Sequence, residues 1–200
     1  MSGPVRIAVL VSGGGTNLQA LIDAERAGAL GSGQIALVIA SRPGVYALER
    51  ARRAGIETAV VDRRTAADPD GEMAALLSAH RIDLVVLAGF LSILGEKVLE
   101  RYTDRILNIH PALIPAFCGR GMYGLRVHEA VLRAGVKVTG ATVHLVNEVV
   151  DGGRILLQKA VEVKEGDTPE SLQRRVMEEA EWVLLPQAVR MMCDKWGGKS

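Results

Sequence analysis

Apolar positions along the chain follow two rhythms. Short, nearly continuous runs rich in β-branched residues occur at 5–11 (VRIAVLV), 34–41 (QIALVIAS), 58–62 (TAVVD), 83–90 (DLVVLAGF) and 104–110 (DRILNIH). Runs of this length and kind predict strands buried on both faces. Between them the spacing shifts toward three and four. Leu18, Leu21, Ile22 and Leu30 predict a helix over 16–30, with Thr16 or Asn17 capping its start. Residues 45–55 predict a helix closed by Gly55, and residues 68–80 a helix with Pro69 in its first turn. Strand and helix in alternation imply βαβ units, right-handed crossovers and a parallel sheet.

After residue 110 the rhythm changes. PALIPAFCGRGMYGL (111–125) is rich in Pro and Gly and reads as a loop, and 126–135 reads as a helix. Residues 138–150 alternate and predict a strand, and 153–163 predict another, joined through the tight turn at Asp151-Gly152-Gly153. Strands joined so closely pair antiparallel. A helical stretch over 168–192 follows, with Pro186 as the expected site of a kink. There is no internal repeat and no linker. The pattern predicts a single α/β domain: a Rossmann-like, mainly parallel sheet flanked by helices, with antiparallel strands at its C-terminal edge.

Composition narrows the function classes. A chain of 200 residues suits one domain with a full core. With 24 Lys+Arg against 23 Asp+Glu, it has no broad basic field for nucleic acid. The two cysteines, Cys118 and Cys193, form no CxxC and argue for a reducing compartment. The apolar runs at 7–11 and 84–94 are too short to span a bilayer. The expectation is a soluble, cytoplasmic protein that binds neither nucleic acid nor membrane.

Four stretches carry candidate chemistry. SGGGTN (12–17) sits between a strand and a helix, where glycine N–H groups and a helix start favour an anion. A dinucleotide, a nucleoside triphosphate and a phosphate ester are the candidates. The dinucleotide fingerprint breaks at Leu18, and no GK[ST] is present, so a phosphate monoester is the better reading. LAGFLSIL (87–94) ends a strand in an apolar loop, suited to a flat ring or simply to core packing. Asn108 and His110, two apart on a strand, face one side at its carboxyl end. An amide and an imidazole there can donate to an oxyanion and move a proton. Asp151 sits in the glycine turn. It is either a plain turn residue or, folded toward His110, a carboxylate that raises and orients the imidazole. His128 and His144 are further candidates for that area. Three histidines and an aspartate also admit zinc, although no HxxxH-type spacing is present.

Taken together, VLVSGGGTNLQALIDA (9–24), VVLAGFLSIL (85–94), ILNIHPALIPAF (106–117), VTGATVHLVNEVVDGGRIL (138–156) and EWVLLP (181–186) resemble the phosphoribosylglycinamide formyltransferases of purine synthesis over essentially the whole chain. The resemblance implies a formyltransferase domain over 1–200. Residues 1–103 would bind phosphate, and residues 104–200 would carry catalysis and folate binding. Gly15, Thr16 and Asn17 would hold the phosphate of glycinamide ribonucleotide. Leu91, Ser92, Ile93 and Leu94 would contact the pterin of 10-formyltetrahydrofolate, the co-substrate, with Asn108 beside them. Asn108, His110 and Asp151 would be the catalytic trio, supported by His144, with no metal required. Glu181 matches an acidic residue touching the ribonucleotide, given a one-residue shift in the final helix. The resemblance implies only small-molecule partners and a monomer or homodimer.

This sequence departs from the family in three places. Some relatives carry Arg where Ser92 stands. An upstream folate-contacting Arg aligns with Ala66, with Arg63 and Arg64 nearby. Residues 118–130 form a longer glycine-rich segment than in many relatives. Two relatives of different function share parts of the pattern, a tRNA-modifying formyltransferase and formyltetrahydrofolate hydrolase. Each is expected to carry a further domain.

Overall fold

The computed structural model describes residues 3–197. Five strands run parallel: β1 (Val5–Val11), β2 (Gly33–Ala40), β3 (Glu57–Val60), β4 (Leu84–Leu87) and β5 (Ile106–His110). β6 (Val138–Leu145) and β7 (Ile155–Glu162) add antiparallel at one edge. The order across the sheet is β3-β2-β1-β4-β5-β6-β7.

The continuous apolar runs have a structural cause. In β1 the side chains of Ile7, Val9 and Val11 enter one core while Ala8 and Leu10 enter another on the opposite face. Both faces are covered, so apolar side chains are favoured on each. Burying each such aliphatic side chain contributes about 1.5–3 kcal/mol. The helices α1 (Thr16–Arg26), α2 (Tyr46–Arg53), α3 (Pro69–Ala79), α4 (Glu96–Arg101), α5 (Leu125–Ala134), α6 (Pro169–Val176) and α7 (Trp182–Gly197) connect and flank the strands. α3 begins as expected, with Asp68 accepting from the Gly71 N–H and Pro69 in the first turn.

Several sequence expectations are corrected. α1 stops at Arg26, short of residue 30, and Leu30 is buried from the following turn. Neither Thr16 nor Asn17 caps α1. The cap is Gly15, in the left-handed region at φ 74°, with no side-chain hydrogen bond. α4 was not anticipated, because six residues with one buried position, Val98, leave no readable period. β6 ends at Leu145 rather than at 150. The final helical stretch is interrupted by a π-helical turn, Met177–Glu181, and Pro186 lies inside α7.

The topology places the site. β1 feeds outward to β2 and β3, and the chain then returns to β4 on the other side of β1. The loops after β1 and β4 therefore diverge, which opens a crevice at the carboxyl ends of the strands. The backbone joins them at its base, where the Ser12 N–H donates to the Gly89 carbonyl at 3.1 Å.

Candidate active site

A cavity of about 1180 Å³ occupies this crevice. Its walls are the loops after β1, β4 and β5, the turn after β6, and the π turn. It exceeds the roughly 300–1,000 Å³ typical of a single small-ligand pocket.

One end is built from the glycine loop. Gly13, Gly14, Gly15, Thr16 and Asn17 all line the cavity. Asn17 is buried, and its Nδ2 donates to Glu181 Oε2 at 2.6 Å. Thr16 Oγ1 lies 3.8 Å from Met177 Sδ. Two residues expected to cap a helix instead reach across to the π turn. That turn accommodates an extra residue within the helix. Burial drives the Glu181 carboxyl up to about 7, and the Asn17 hydrogen bond offsets only part of that.

The middle of the cavity holds the side chains from β5. Asn108 pairs with His144 across the antiparallel β5–β6 ladder, and His110 pairs with Thr142. Asn108 Nδ2 and His144 Nε2 are 3.1 Å apart, and His144 Nδ1 lies 2.8 Å from the Leu145 carbonyl. With its hydrogen on Nδ1, a neutral His144 donates to Leu145 and accepts from the Asn108 amide. His110 Nε2 lies 2.9 Å from the Phe117 carbonyl, and its Nδ1 lies 3.6 Å from Asp151 Oδ2. Both neighbours are acceptors. A doubly protonated ring serves both, and a neutral ring serves one.

Asp151 is the meeting point. It takes a left-handed backbone, φ 56°, so the turn throws its carboxylate back over the sheet. Gly153 makes that fold possible, because a Cβ there would collide with the Leu145 carbonyl. Besides His110, Asp151 faces His144 Nε2 at 3.7 Å and accepts from the Gly119 N–H at 2.8 Å. Burial by itself raises this carboxyl; His144, the charge of His110 and the Gly119 N–H outweigh it and hold the group below its ordinary value. At 3.7 Å the His144 contact is too long for a hydrogen bond.

The other end is apolar. Leu91 and Ile93 are exposed to the cavity mouth at 59% and 61%, while Leu94 is buried beneath them. Val149 and Val150 face them from the turn after β6, and Tyr123 adds a ring from the glycine-rich segment. Such a surface suits a flat, partly apolar ligand. Ser12 Oγ accepts from the Leu91 N–H at 2.9 Å and contacts Ser41 Oγ at 2.7 Å. This serine thus joins the glycine loop to the apolar loop. Ser92 lines the cavity and Ala66 does not. Near Ala66, the Arg63 guanidinium reaches the apolar loop and donates to the Ile93 carbonyl at 2.6 Å.

Reading the sequence missed four contributors: Ser12 as a bridge, the Phe117 carbonyl, the Gly119 N–H and the requirement for Gly153. Three of these act through backbone, which leaves no side-chain signature. His128 lines the cavity from α5, fully buried, with neither ring nitrogen bonded to protein. Burial, helped by the nearby His110, pushes its pKa down to about 4. Among the described residues, no group of three or more His, Cys, Asp or Glu is arranged to hold a metal, and no helix is long and apolar enough to cross a membrane.

The cavity at the switch point of the parallel sheet thus holds an amide, an imidazole and an ionised carboxylate side by side. The formyl transferase family pattern matches residues 5–189, and the chain belongs to that family. It is 39% identical over 198 residues to the chloroplastic phosphoribosylglycinamide formyltransferase of Arabidopsis thaliana, covering 96% of this chain and 67% of that protein. It is 43% identical over 190 residues to the human trifunctional purine biosynthetic protein adenosine-3, covering 94% of this chain but only 18% of that protein. Among solved structures, glycinamide ribonucleotide transformylase 1 from Symbiobacterium toebii superposes with a TM-score of 0.90 at 43% identity, covering 98% of this chain and 90% of that one.

Proposed function

We propose that the protein transfers the formyl group of 10-formyltetrahydrofolate to the glycyl amine of 5-phosphoribosylglycinamide. The observation that carries this reading is Asp151 beside His110 and Asn108, midway between a glycine loop and an apolar wall. Gly15, Thr16 and Asn17 hold the phosphate, and Glu181 faces the ribonucleotide. Leu91, Ser92, Ile93 and Leu94 receive the pterin. The amine reaches the middle from one side and the formyl group from the other. In this reading residues 1–103 supply most of the phosphate site, and 104–200 supply catalysis. The free thiols of Cys118 and Cys193 support a reducing compartment such as the cytoplasm.

The chemistry follows from the donors. The amine nitrogen bonds to the formyl carbon, and the carbonyl electron pair moves onto oxygen. Asn108 and His110 stabilise that oxyanion by donating to it. The Phe117 carbonyl holds the His110 Nε2 donor, and the formyl oxygen displaces it as acceptor. Asp151 supplies a fixed negative charge beside the His110 ring and orients it. The tetrahedral centre then collapses, the bond to the folate nitrogen breaks, and a proton passes from the attacking amine to that nitrogen. His144 keeps the Asn108 amide in place.

The test is formyl transfer from 10-formyl-5,8-dideazafolate to synthetic glycinamide ribonucleotide, followed by absorbance. The parent is expected to be active. His110→Ala and Asp151→Asn should lose activity while circular dichroism stays unchanged. A folded parent that transfers nothing, yet hydrolyses formyl-folate without an acceptor amine, would replace the transferase reading with a hydrolase one.

A further inference from the structure

Three successive carbonyls of the loop after β1 are held by the next βα unit. The Ser12 carbonyl accepts from Arg42 Nε at 3.3 Å. The Gly13 carbonyl accepts from the Ala47 N–H at 3.1 Å. The Gly14 carbonyl accepts from Arg50 Nε at 2.8 Å. In a trans peptide the C=O and the following N–H point in opposite directions. Pinning these carbonyls toward α2 therefore aims the N–H groups of Gly13, Gly14 and Gly15 the other way, into the cavity those glycines line. Successive N–H groups converging like this form an anion nest.

The backing is firm. α2 abuts the loop so closely that a Cβ on Gly15 would lie 2.7 Å from Ala47 Cβ. The Arg50 guanidinium rests 4.9 Å from the centre of the Tyr46 ring, and its Nη1 donates to Gln19 Oε1 at 3.1 Å. Arg42 lines the cavity itself, whereas Arg50 is not among the residues that do. Arg50 touches the loop from behind.

We propose that Arg50 is a positioning residue for phosphate-monoester recognition, acting through the Gly14 carbonyl to orient and polarise the glycine N–H groups. This rests on the reading of the loop as the phosphate site. It deepens that reading by assigning the specificity to a side chain that never meets the ligand. Arg42 and the Ala47 N–H do the same for the two preceding peptides, and Arg42 also adds its own charge to the cavity wall.

The test compares glycinamide ribonucleotide with its dephosphorylated riboside, using the parent, Arg50→Met and Arg50→Lys. Loss of a charge-assisted hydrogen bond predicts a rise of about tenfold to a hundredfold in KM for the phosphorylated substrate in Arg50→Met. The kcat, the KM for formyl-folate and the kcat/KM for the riboside should stay within about twofold, as expected for a group acting only on phosphate binding. Arg50→Lys keeps a charge and a donor and should recover part of the loss. Gln19→Met, which only frees the guanidinium, should move KM in the same direction by less. It stands in if Arg50→Met does not fold. Equal losses on both substrates, or an unchanged KM for the ribonucleotide, would overturn the role of Arg50. A parent that does not prefer the phosphorylated substrate would instead sink the phosphate assignment of the loop, and this proposal with it.

Discussion

Two carboxyl groups are buried in the same cavity, and their surroundings drive them in opposite directions. Asp151 stays below its ordinary pKa, while Glu181 rises to about 7. Both are desolvated, with Glu181 only 6% exposed and the Asp151 side chain 10%. The difference lies in the company. Asp151 has two imidazoles and a backbone N–H, and Glu181 has one neutral amide. Burial sets the penalty for charge, and the number and charge of donors decide whether the group carries it. The Asp151 end therefore keeps a negative charge, whereas the Glu181 end keeps a carboxyl that changes state near neutrality.

The largest break in this contrast should come at the Asp151 end. Asp151→Asn keeps the shape but removes the charge, and His110→Ala removes the ring. Each is expected to lower kcat by about a thousandfold under saturating substrates. Asn108→Ala, which loses one oxyanion donor, should cost about a hundredfold in kcat. A variant of any of the three that keeps full turnover would remove that residue from the mechanism.

Glu181→Gln probes the other end and should act on binding. KM for the ribonucleotide is expected to rise about tenfold, the worth of about one hydrogen bond, with kcat nearly unchanged. The same substitution has a pH signature. The folded pKa, about 7, lies above the ordinary 4.5, so the folded state holds a proton the unfolded state has released. The stability this proton contributes is fully present below about 4.5 and is lost as pH rises through 7. The shift corresponds to about 3 kcal/mol. Glu181→Gln should therefore melt higher than the parent at pH 8, and little differently at pH 4.5.

His128 sharpens the comparison with the smallest effect on turnover. Its folded pKa, about 4, lies below the ordinary 6.5, so here the unfolded state holds the extra proton. Its contribution to stability is fully present above 6.5 and is lost as pH falls through 4. His128→Leu should flatten the acid limb of a melting-temperature profile. An unchanged limb would place the acid sensitivity elsewhere.

Much of this was legible in the chain. The apolar runs announced the parallel strands because a sheet covered on both faces strongly favours apolar side chains. SGGGTN and the pair Asn108 and His110 stood out because each is a contiguous stretch with its own local pattern. Asp151 was harder: only the antiparallel β6–β7 turn, with Gly153 passing against Leu145, brings it to His110. The cap expected from Thr16 or Asn17 was misread. A local rule favoured the helix end, but a distant π turn offered Asn17 a buried carboxyl. α4 was too short to show any period.

The sequence by itself determined the layered α/β architecture, the glycine loop after the first strand and the residue types that meet in the cavity. Periodicity and turn chemistry are local properties, and they survive in a linear reading. Only the tertiary structure decided which charges those residues carry. It placed Asp151 among donors and Glu181 almost alone, set Ser12 between two loops, and turned the Ser12, Gly13 and Gly14 carbonyls toward Arg42, Ala47 and Arg50. Protonation and orientation depend on what lies within a few ångströms. In this fold those neighbours come from segments as far as 164 residues away in the chain.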